Sequence, residues 1–378
     1  MGAALVGANL FAHRSWFGRT SSPLRWVLVV LVAGMAPAGA ADFAPVIPGR
    51  PLAFPADTGA HPDFRTEWWY VTGWLKEQAG RERGFQVTFF RVATGKGADN
   101  PSRFAPRQLV LAHAAIADPA RGRLLHAERS ARADGRLAGA GEEATRAWIR
   151  DWRIEGDGRR YATRVEDDEF GLELELTTAQ PPMENGQRGF SQKAADPVHA
   201  SYYYSQPQLA VRGRLRLGDE RVQVEGKAWL DHEWSSAYLP EGARGWDWIG
   251  INLADGGALM AFRMRDAEGR ALWAGGTLRE ADGRQTTLGP EDLRFIPGRT
   301  WTSPRSAATY PVEWTVEVGR GDKLRRFELR PLMDDQELDS RRSTGAIYWE
   351  GAARLLENGQ EAGRGYLEMT GYASELTM

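Results

Sequence analysis

The sequence predicts an all-β protein built from two antiparallel β-barrel or β-sandwich domains in tandem. From residue 66 onward, short stretches of β-branched and aromatic residues alternate with Gly, Asp and Arg turns. No long window carries the apolar stripe of 3.6-residue period that marks an amphipathic helix. The two halves of the chain also open and close on similar motifs, which indicates that one β fold was built twice.

Individual strands are predicted from the alternation of apolar and polar residues. Residues 85–92 form one apolar and aromatic stretch, and residues 172–177 follow a strict period of two, as Leu-Glu-Leu-Glu-Leu-Thr. Strands at such close spacing favour barrels or sandwiches, because closing a sheet removes its exposed edges. A short helix is predicted around residues 142–146.

The repeated motifs lie at the start and end of each half. The first half opens on Trp-Trp-Tyr-Val at 68–71, and the second on Trp-Asp-Trp-Ile at 246–249. The closing motifs are Gly-Lys-Ala-Trp-Leu-Asp-His at 226–232 and Gly-Arg-Gly-Tyr-Leu-Glu-Met at 363–369. We therefore predict an N-terminal domain over 61–237 and a C-terminal domain over 238–378.

The N-terminus has the order of features that is typical of a secretory signal. Arg19 and Arg25 precede an apolar run at 26–34, and small residues follow at 38–40. The run is short for a membrane span of about 20 residues, although an uncleaved anchor is the alternative. We predict a signal peptide over 1–41, an extended arm over 42–60, and a periplasmic or secreted protein.

Composition excludes several classes of function. The formal charge of −2 is spread along the 378 residues, so no overall positive field would attract nucleic acid. The absence of cysteine excludes disulfides, thiolate metal sites and a cysteine nucleophile. The sequence holds no Gly-X-Ser-X-Gly elbow, phosphate-binding glycine loop or dinucleotide fingerprint, and we therefore predict no cofactor.

Tryptophans cluster with acidic residues at the opening motifs. Alternation along a strand puts Trp68 on the face opposite to Glu67 and Trp69. By the same rule Trp246 and Trp248 point together, and Asp247 points away. These groups either fill the cores of the domains, with carboxylates accepting indole hydrogen bonds, or line a ligand pocket.

The densest polar cluster lies at 231–234, immediately before the predicted domain boundary. His232 and Trp234 share one face of the strand, and Asp231 and Glu233 share the other. A metal site would need further histidines, and no known ligand spacing is present, so we predict no metal. The histidines that only the fold could bring near this cluster are His61, His113 and His199.

At these motifs the chain resembles the family of hydroxyneurosporene synthase (carotenoid 1,2-hydratase) and the AttH-like secreted proteins. The matching stretches span nearly the whole chain after the leader, in family order. They are 61–73, 189–193, 202–205, 231–236, 245–248 and 365–372. The resemblance implies two lipocalin-like β domains.

The hydratases of this family add water across a terminal isoprenoid double bond. The resemblance implies that their proton donor is an aspartate on the strand after the His-X-Trp motif. The matching stretch here, Leu-Met-Ala-Phe-Arg at 259–263, contains no carboxylate, although His232 and Trp234 are retained. The chain is therefore more similar to the AttH-like branch, whose members are associated with membrane export systems.

Three hypotheses of function follow. The first is an exported lipocalin-like protein that binds an elongated apolar ligand, a lipid or isoprenoid. The predicted ligand-binding residues are Trp68, Trp69, Tyr203, Trp234, Trp246, Asp247, Trp248 and Tyr366. The second is a hydratase-like lyase or isomerase that uses acid–base chemistry; its predicted catalytic residues are Glu67, Asp231, His232 and Glu368. The third is an accessory subunit of an envelope ABC transporter.

Overall fold

A computed structural model describes residues 43–97, 99–102 and 105–375. The predicted signal peptide at 1–41 lies outside these residues. Within them the helical turns are the 3₁₀ helices Ala56–Thr58 and Gly321–Lys323, and no helix is long and apolar enough to cross a bilayer. The predicted all-β fold class is confirmed.

The first half forms a 13-stranded antiparallel sheet that curves into a nearly closed barrel. Its spatial order is β4-β3-β2-β1-β13-β12-β9-β8-β7-β6-β5, and β10 and β11 pair with β12. The strands are β1 (Thr66–Glu77), β2 (Glu82–Ala93), β3 (Gln108–Asp118), β4 (Arg123–Arg132), β5 (Ala138–Ala140), β6 (Thr145–Ile149), β7 (Trp152–Gly156), β8 (Arg160–Glu166), β9 (Phe170–Thr177), β10 (Met183–Glu184), β11 (Phe190–Gln192), β12 (Ala200–Leu217) and β13 (Glu220–Ala237).

The second half forms a 10-stranded antiparallel sheet and a separate two-stranded sheet, β19-β20. The larger sheet has the order β17-β16-β15-β14-β25-β24-β22-β21-β18, and β23 pairs with β24. The strands are β14 (Gly245–Leu253), β15 (Ala258–Arg265), β16 (Ala271–Arg279), β17 (Gln285–Leu288), β18 (Leu293–Pro297), β19 (Thr300–Thr302), β20 (Thr309–Pro311), β21 (Trp314–Val318), β22 (Arg325–Pro331), β23 (Glu337–Ser340), β24 (Ala346–Glu357) and β25 (Gln360–Met369). Residues 41–378 form one compact unit, and the division into two domains stays a prediction.

The helix predicted around residues 142–146 is wrong. Residues 142–144 form a bend, and β6 begins at Thr145. Alternate residues of this strand, Thr145, Ala147 and Ile149, are buried against the barrel. Burial of one face of a strand therefore outweighs the local helix preference of the Glu-Glu-Ala segment.

Each half closes in the same way, with its first strand paired to its last. In the first half β1 pairs with β13, which sets Tyr70 opposite Asp231. In the second half β14 pairs with β25, which sets Trp248 opposite Glu368. The opening and closing motifs of each half are therefore neighbours in the sheet, and Asp231 and Glu368 occupy corresponding positions.

The outer faces of the paired strands pack against each other across the two halves. We call this shared aromatic layer the seam. Its buried aromatic members are Tyr70, Trp74, Tyr203, Trp229, Trp248, Phe262 and Tyr366, and its partly exposed ones are Trp68, Tyr238, Trp246 and Trp273. Trp74 Nε1 donates to the Gly365 carbonyl at 3.0 Å, and the ring of Tyr70 contacts that of Trp248. The seam therefore joins the two sheets through side chains from both.

The closing motifs begin at glycines that lie against the opening strands. A Cβ atom on Gly226 would lie 1.9 Å from the Trp74 carbonyl oxygen, and one on Gly363 would lie 2.8 Å from the Asn252 carbonyl oxygen. We predict that Gly226→Ala lowers the free energy of unfolding by roughly 1–3 kcal/mol, because the backbones must move apart. Urea denaturation would measure this. Gly141→Ala, whose nearest atom lies at 3.4 Å, is the control, and equal midpoints for both variants would contradict the prediction.

Candidate functional site

Inside the first barrel, Glu67 is fully buried and accepts hydrogen bonds from several cationic or polar groups. His232 Nε2 and His61 Nδ1 each lie 2.8 Å from its Oε1, and Arg91 Nε donates to Oε2 at 2.7 Å. Burial opposes ionisation, but the hydrogen bonds from His232 and His61 and the charge of Arg91 hold the pKa of Glu67 well below its usual range. Glu67 is therefore a carboxylate and has no proton to donate.

The same network anchors the segment that precedes β1. The ring of His61 stacks on that of Trp234 at 3.7 Å, and its Nε2 lies 3.2 Å from Asp57 Oδ1. Burial lowers the pKa of His61, but the hydrogen bonds to Asp57 and Glu67 outweigh it and raise the pKa above its usual value. An imidazolium between two carboxylates satisfies both ring nitrogens. This geometry favours structural anchoring by Glu67 and His232, and their catalytic role stays an untested prediction.

Among the described residues, the group that could hold a metal ion is this same one. The ligand atoms of His61, Glu67 and His232 lie within 4.8 Å of one another. Two imidazoles and a carboxylate suit a transition metal. However, Arg91 already forms an ion pair with Glu67. The imidazoles of His61 and His232 are both hydrogen-bonded to the Glu67 carboxylate. His113 lies elsewhere, where its Nδ1 bonds the Tyr348 hydroxyl at 2.7 Å.

Asp231 is the best-connected carboxylate of the seam. It is 3% exposed and accepts hydrogen bonds from the Tyr203 hydroxyl at 2.7 Å, Ser205 Oγ at 2.5 Å and Trp229 Nε1 at 2.6 Å. Burial raises its pKa, and the three hydrogen bonds offset only part of that rise, so the pKa is about 7. Asp231 is therefore close to half-ionised near neutral pH.

Glu368 faces the same seam from the second half. Trp246 Nε1 donates to its Oε1 at 3.1 Å, and its strand neighbour Trp248 donates to the Tyr203 hydroxyl at 3.0 Å. Tyr203 in turn binds Asp231, so one chain of contacts links the two carboxyls. Burial and the charges of Asp231 and Glu233 raise the pKa of Glu368 well above its usual range, against the hydrogen bond from Trp246.

Glu350 is a third seam carboxyl, directly opposite Glu368 in the pairing of β24 with β25. Neither of its oxygens makes a well-formed hydrogen bond within the described part of the chain. Burial and the charge of Glu368 raise its pKa well above the usual range, and the nearby hydroxyls of Tyr70 and Tyr348 lower it only in part. Burial and the neighbouring carboxyl therefore favour the protonated form of Glu350.

Lys193 brings a cation to the seam, where it is 1% exposed. Its Nζ lies 2.7 Å from Glu233 Oε1 and donates to Ser191 Oγ at 2.9 Å. Burial lowers the pKa of Lys193 and raises that of Glu233, while their mutual attraction opposes both changes. A buried lysine beside buried acids in an aromatic layer is a candidate functional group.

Two cavities reach this layer from outside. A groove of about 780 Å³ runs between the halves, and Trp74 and Trp229 line it. A smaller pocket of about 210 Å³ is lined by Phe190, Ser191, Phe262 and Trp273, among others. Trp229, whose indole donates to Asp231, is among the residues that line the groove, and Ser191, which accepts from Lys193, is among those that line the pocket.

The structure divides the predicted site residues among three places. The interior of the first barrel holds Glu67, Trp69, His232 and Trp234; the seam holds Trp68, Tyr203, Asp231, Trp246, Trp248, Tyr366 and Glu368. Asp247 lies inside the second sheet, where Arg263 Nε donates to it at 2.7 Å. Neighbouring residues on a strand face opposite sides of a sheet, so these side chains do not share one face. Which of them contact a ligand or act in catalysis stays a prediction.

Sequence reasoning missed Lys193, Glu233 and Glu350 as site residues. Alternation along β13 already placed Glu233 on the face of Asp231, and that signal was available. Lys193 follows β11, outside any regular strand, so its approach to Glu233 depends on the fold. Glu350 becomes relevant only through the register that sets it opposite Glu368.

We predict that Glu67→Gln lowers the free energy of unfolding by roughly 3–5 kcal/mol, because it leaves Arg91 and two imidazoles without their buried anion. Thermal or urea unfolding would measure the change. Glu225→Gln removes an exposed glutamate from β13 and is the matched control. A loss no greater than that of the control would contradict the anchoring role.

A family model described as AttH-like matches residues 45–372. The crystal structure of NE1406, an AttH candidate from Nitrosomonas europaea, has 50% sequence identity to the chain and a TM-score of 0.81. That match covers 87% of this chain and 99% of the Nitrosomonas chain. No curated protein matches the chain.

More distant structures share the fold. Kievitone hydratase from Nectria haematococca has a TM-score of 0.64 at 14% identity, over 89% of this chain and 97% of its own. CghA has a TM-score of 0.52 at 13% identity, over 82% and 89%. At these identities the likeness shows the fold alone. The family model and the identity to NE1406 show that the chain belongs to the AttH-like family.

Proposed function

We propose that this protein is an acid–base enzyme that adds or removes water on an unsaturated, largely apolar small molecule at the seam. The observation that carries the proposal is the pair Asp231 and Glu368. Corresponding strands of the two halves present these carboxyls to one aromatic layer, where burial raises the pKa of both. Carboxyls tuned toward neutral pH by an apolar environment are typical of general acids and bases.

The contacts of the two carboxyls suggest different roles. Asp231 accepts three hydrogen bonds, which favour its ionised form and suit a base. Glu368 accepts one, from Trp246, and the negative charges of Asp231 and Glu233 favour its protonated form. For the direction of water loss we therefore assign proton donation to Glu368 and proton acceptance to Asp231, and the two roles exchange for water addition.

The relatives support this class of reaction without defining the substrate. The chain shares its fold with kievitone hydratase and resembles the carotenoid 1,2-hydratase family in its motifs. On β15, where that family places its acid, Met260 and Phe262 face the seam and no carboxylate is present. The acids of this seam come from the last strand of each half instead.

Binding of an apolar ligand is part of the proposal, and binding alone is the second candidate. The 780 Å³ groove with its two indoles favours it, since it is large enough for a drug-sized molecule. A protein that only binds would need the walls of the seam but not its acids. The two candidates therefore differ in what removal of Asp231 or Glu368 does.

We predict that Asp231→Asn and Glu368→Gln each reduce turnover at least about 100-fold while leaving ligand binding within a few-fold. Incubation with isoprenoid alkenes, enones and unsaturated fatty acids in water labelled with heavy oxygen, followed by mass spectrometry, would detect the reaction. Glu175→Gln, on the exposed face of β9 and outside the residues that line the groove, is the control. Ligand binding without turnover by the wild type would favour the binding protein.

The pH profile of turnover gives a separate readout of the assigned roles. The rate should rise as pH passes about 7, where Asp231 loses its proton, and fall again through the raised pKa of Glu368. In Asp231→Asn the rising limb should disappear from any remaining activity. A profile that is flat across neutral pH in the wild type would contradict the assignment.

A further inference from the structure

Lys193 places a positive charge in the seam that the addition of water to an isolated alkene does not use. Its ammonium group has three N–H donors, and its contacts with Glu233 and Ser191 use two of them. The side chain is almost fully buried, and burying a lysine is costly unless its charge has a use or a partner. Among the residues that the structure describes, its remaining contacts are with aromatic rings, so a donor is left for an acceptor that enters the seam.

The aromatic faces nearest to Lys193 are those that would otherwise stabilise a carbocation. Its Nζ lies 4.3 Å from the ring centroid of Phe262, 5.0 Å from that of Tyr238 and 5.1 Å from that of Tyr203. Cation–π attraction at these rings is already used by the ammonium group. A second positive charge at the same rings would be repelled, whereas a developing negative charge would be attracted.

We infer that Lys193 binds the carbonyl oxygen of the substrate as that oxygen gains negative charge, and that the substrate is a β-hydroxy carbonyl compound or the corresponding α,β-unsaturated carbonyl compound. This inference rests on the function proposed above and specifies its substrate class. It implies an enolate, with charge stabilised as in an oxyanion hole, in place of a carbocation.

The reaction balances with the groups already assigned. In the direction of water loss, Asp231 takes the proton from the carbon α to the carbonyl, and the electron pair moves to the oxygen held by Lys193. The pair then returns to form the carbon–carbon double bond. The β-hydroxyl group takes the proton of Glu368 and leaves as water. Addition of water follows the same steps in reverse, and no cofactor is required.

The pieces of this site are linked by contacts. Tyr203 contacts Lys193 through its ring and Asp231 through its hydroxyl. Tyr238 contacts Lys193 on one side and Trp246, the partner of Glu368, on the other. Ser191 and Phe262 line the 210 Å³ pocket and both touch Lys193, so we place the carbonyl end of the substrate on this side of the seam.

Binding of 4-nitrophenol tests the oxyanion site without any turnover. Because phenolate mimics an enolate oxygen, the wild type should lower the pKa of the bound phenol, which is seen as phenolate absorbance at a pH where the free compound is protonated. We predict that Lys193→Met abolishes this shift and raises the dissociation constant for the phenolate at least about tenfold. Lys323→Met, in the exposed 3₁₀ helix Gly321–Lys323, should behave as the wild type does.

A second variant guards against misfolding, because Lys193→Met leaves Glu233 buried without its cation. The double variant Lys193→Met/Glu233→Gln removes both charges and should also lose the shift, while Lys193→Arg should keep part of it. Circular dichroism and the unfolding midpoint would show that these variants are folded. The absence of a shift in the wild type, or its persistence in the folded double variant, would overturn the inference.

Turnover separates this inference from the proposed function. Asp231-dependent addition of water to enones, but not to isolated alkenes, supports both. Asp231-dependent addition to isolated alkenes that is unaffected by Lys193→Met/Glu233→Gln would overturn the inference and leave the proposed function standing. A Lys193-dependent phenolate shift in a protein that turns over none of the compounds would support the oxyanion site and count against the proposed function.

Discussion

The pairing of β1 with β13 fixes where every polar group of the first half lies. Along β13, Leu230, His232 and Trp234 point into the barrel, and Asp231 and Glu233 point out of it. A shift of the register by one residue would exchange these sets and leave Glu67 without His232. The structural anchor and the candidate site therefore depend on one register, although they lie on opposite faces of the same strands.

The candidate site also depends on both halves. An outward face of a barrel is ordinarily exposed to water, and a carboxylate there keeps its usual pKa. Here the outer face of β13 is covered by β14 and β25, so Asp231 is buried although it lies outside its own barrel. The two halves thus provide similarly paired strands and, at their contact, a layer of buried side chains to which both contribute.

The face of the strand on which each site residue lies could be predicted from the sequence. The contacts between distant segments could not. Alternation correctly predicted that Trp246 and Trp248 lie on one face of their strand and that Trp68 lies on the face opposite to Trp69. It also correctly predicted that Asp231 and His232 lie on opposite faces of β13. It does not tell which of two faces is solvent and which meets another sheet, since both can be aromatic. The approach of Lys193 to Glu233, and of Glu368 to Asp231, joins segments far apart in sequence and requires the fold.

Two buried glutamates illustrate how the local balance of charge decides the role of a residue type. Glu67 is paired with Arg91 and hydrogen-bonded to His61 and His232, and these contacts keep it ionised. Glu368 shares the seam with Asp231, Glu233 and Glu350. Of these four acids, Glu233 is the one that is paired with Lys193. These acids cannot all ionise in a low dielectric, so protons remain on some of them near neutral pH. The number of buried acids thus distinguishes the seam from the barrel interior and supports the proposal that the seam exchanges protons with a ligand.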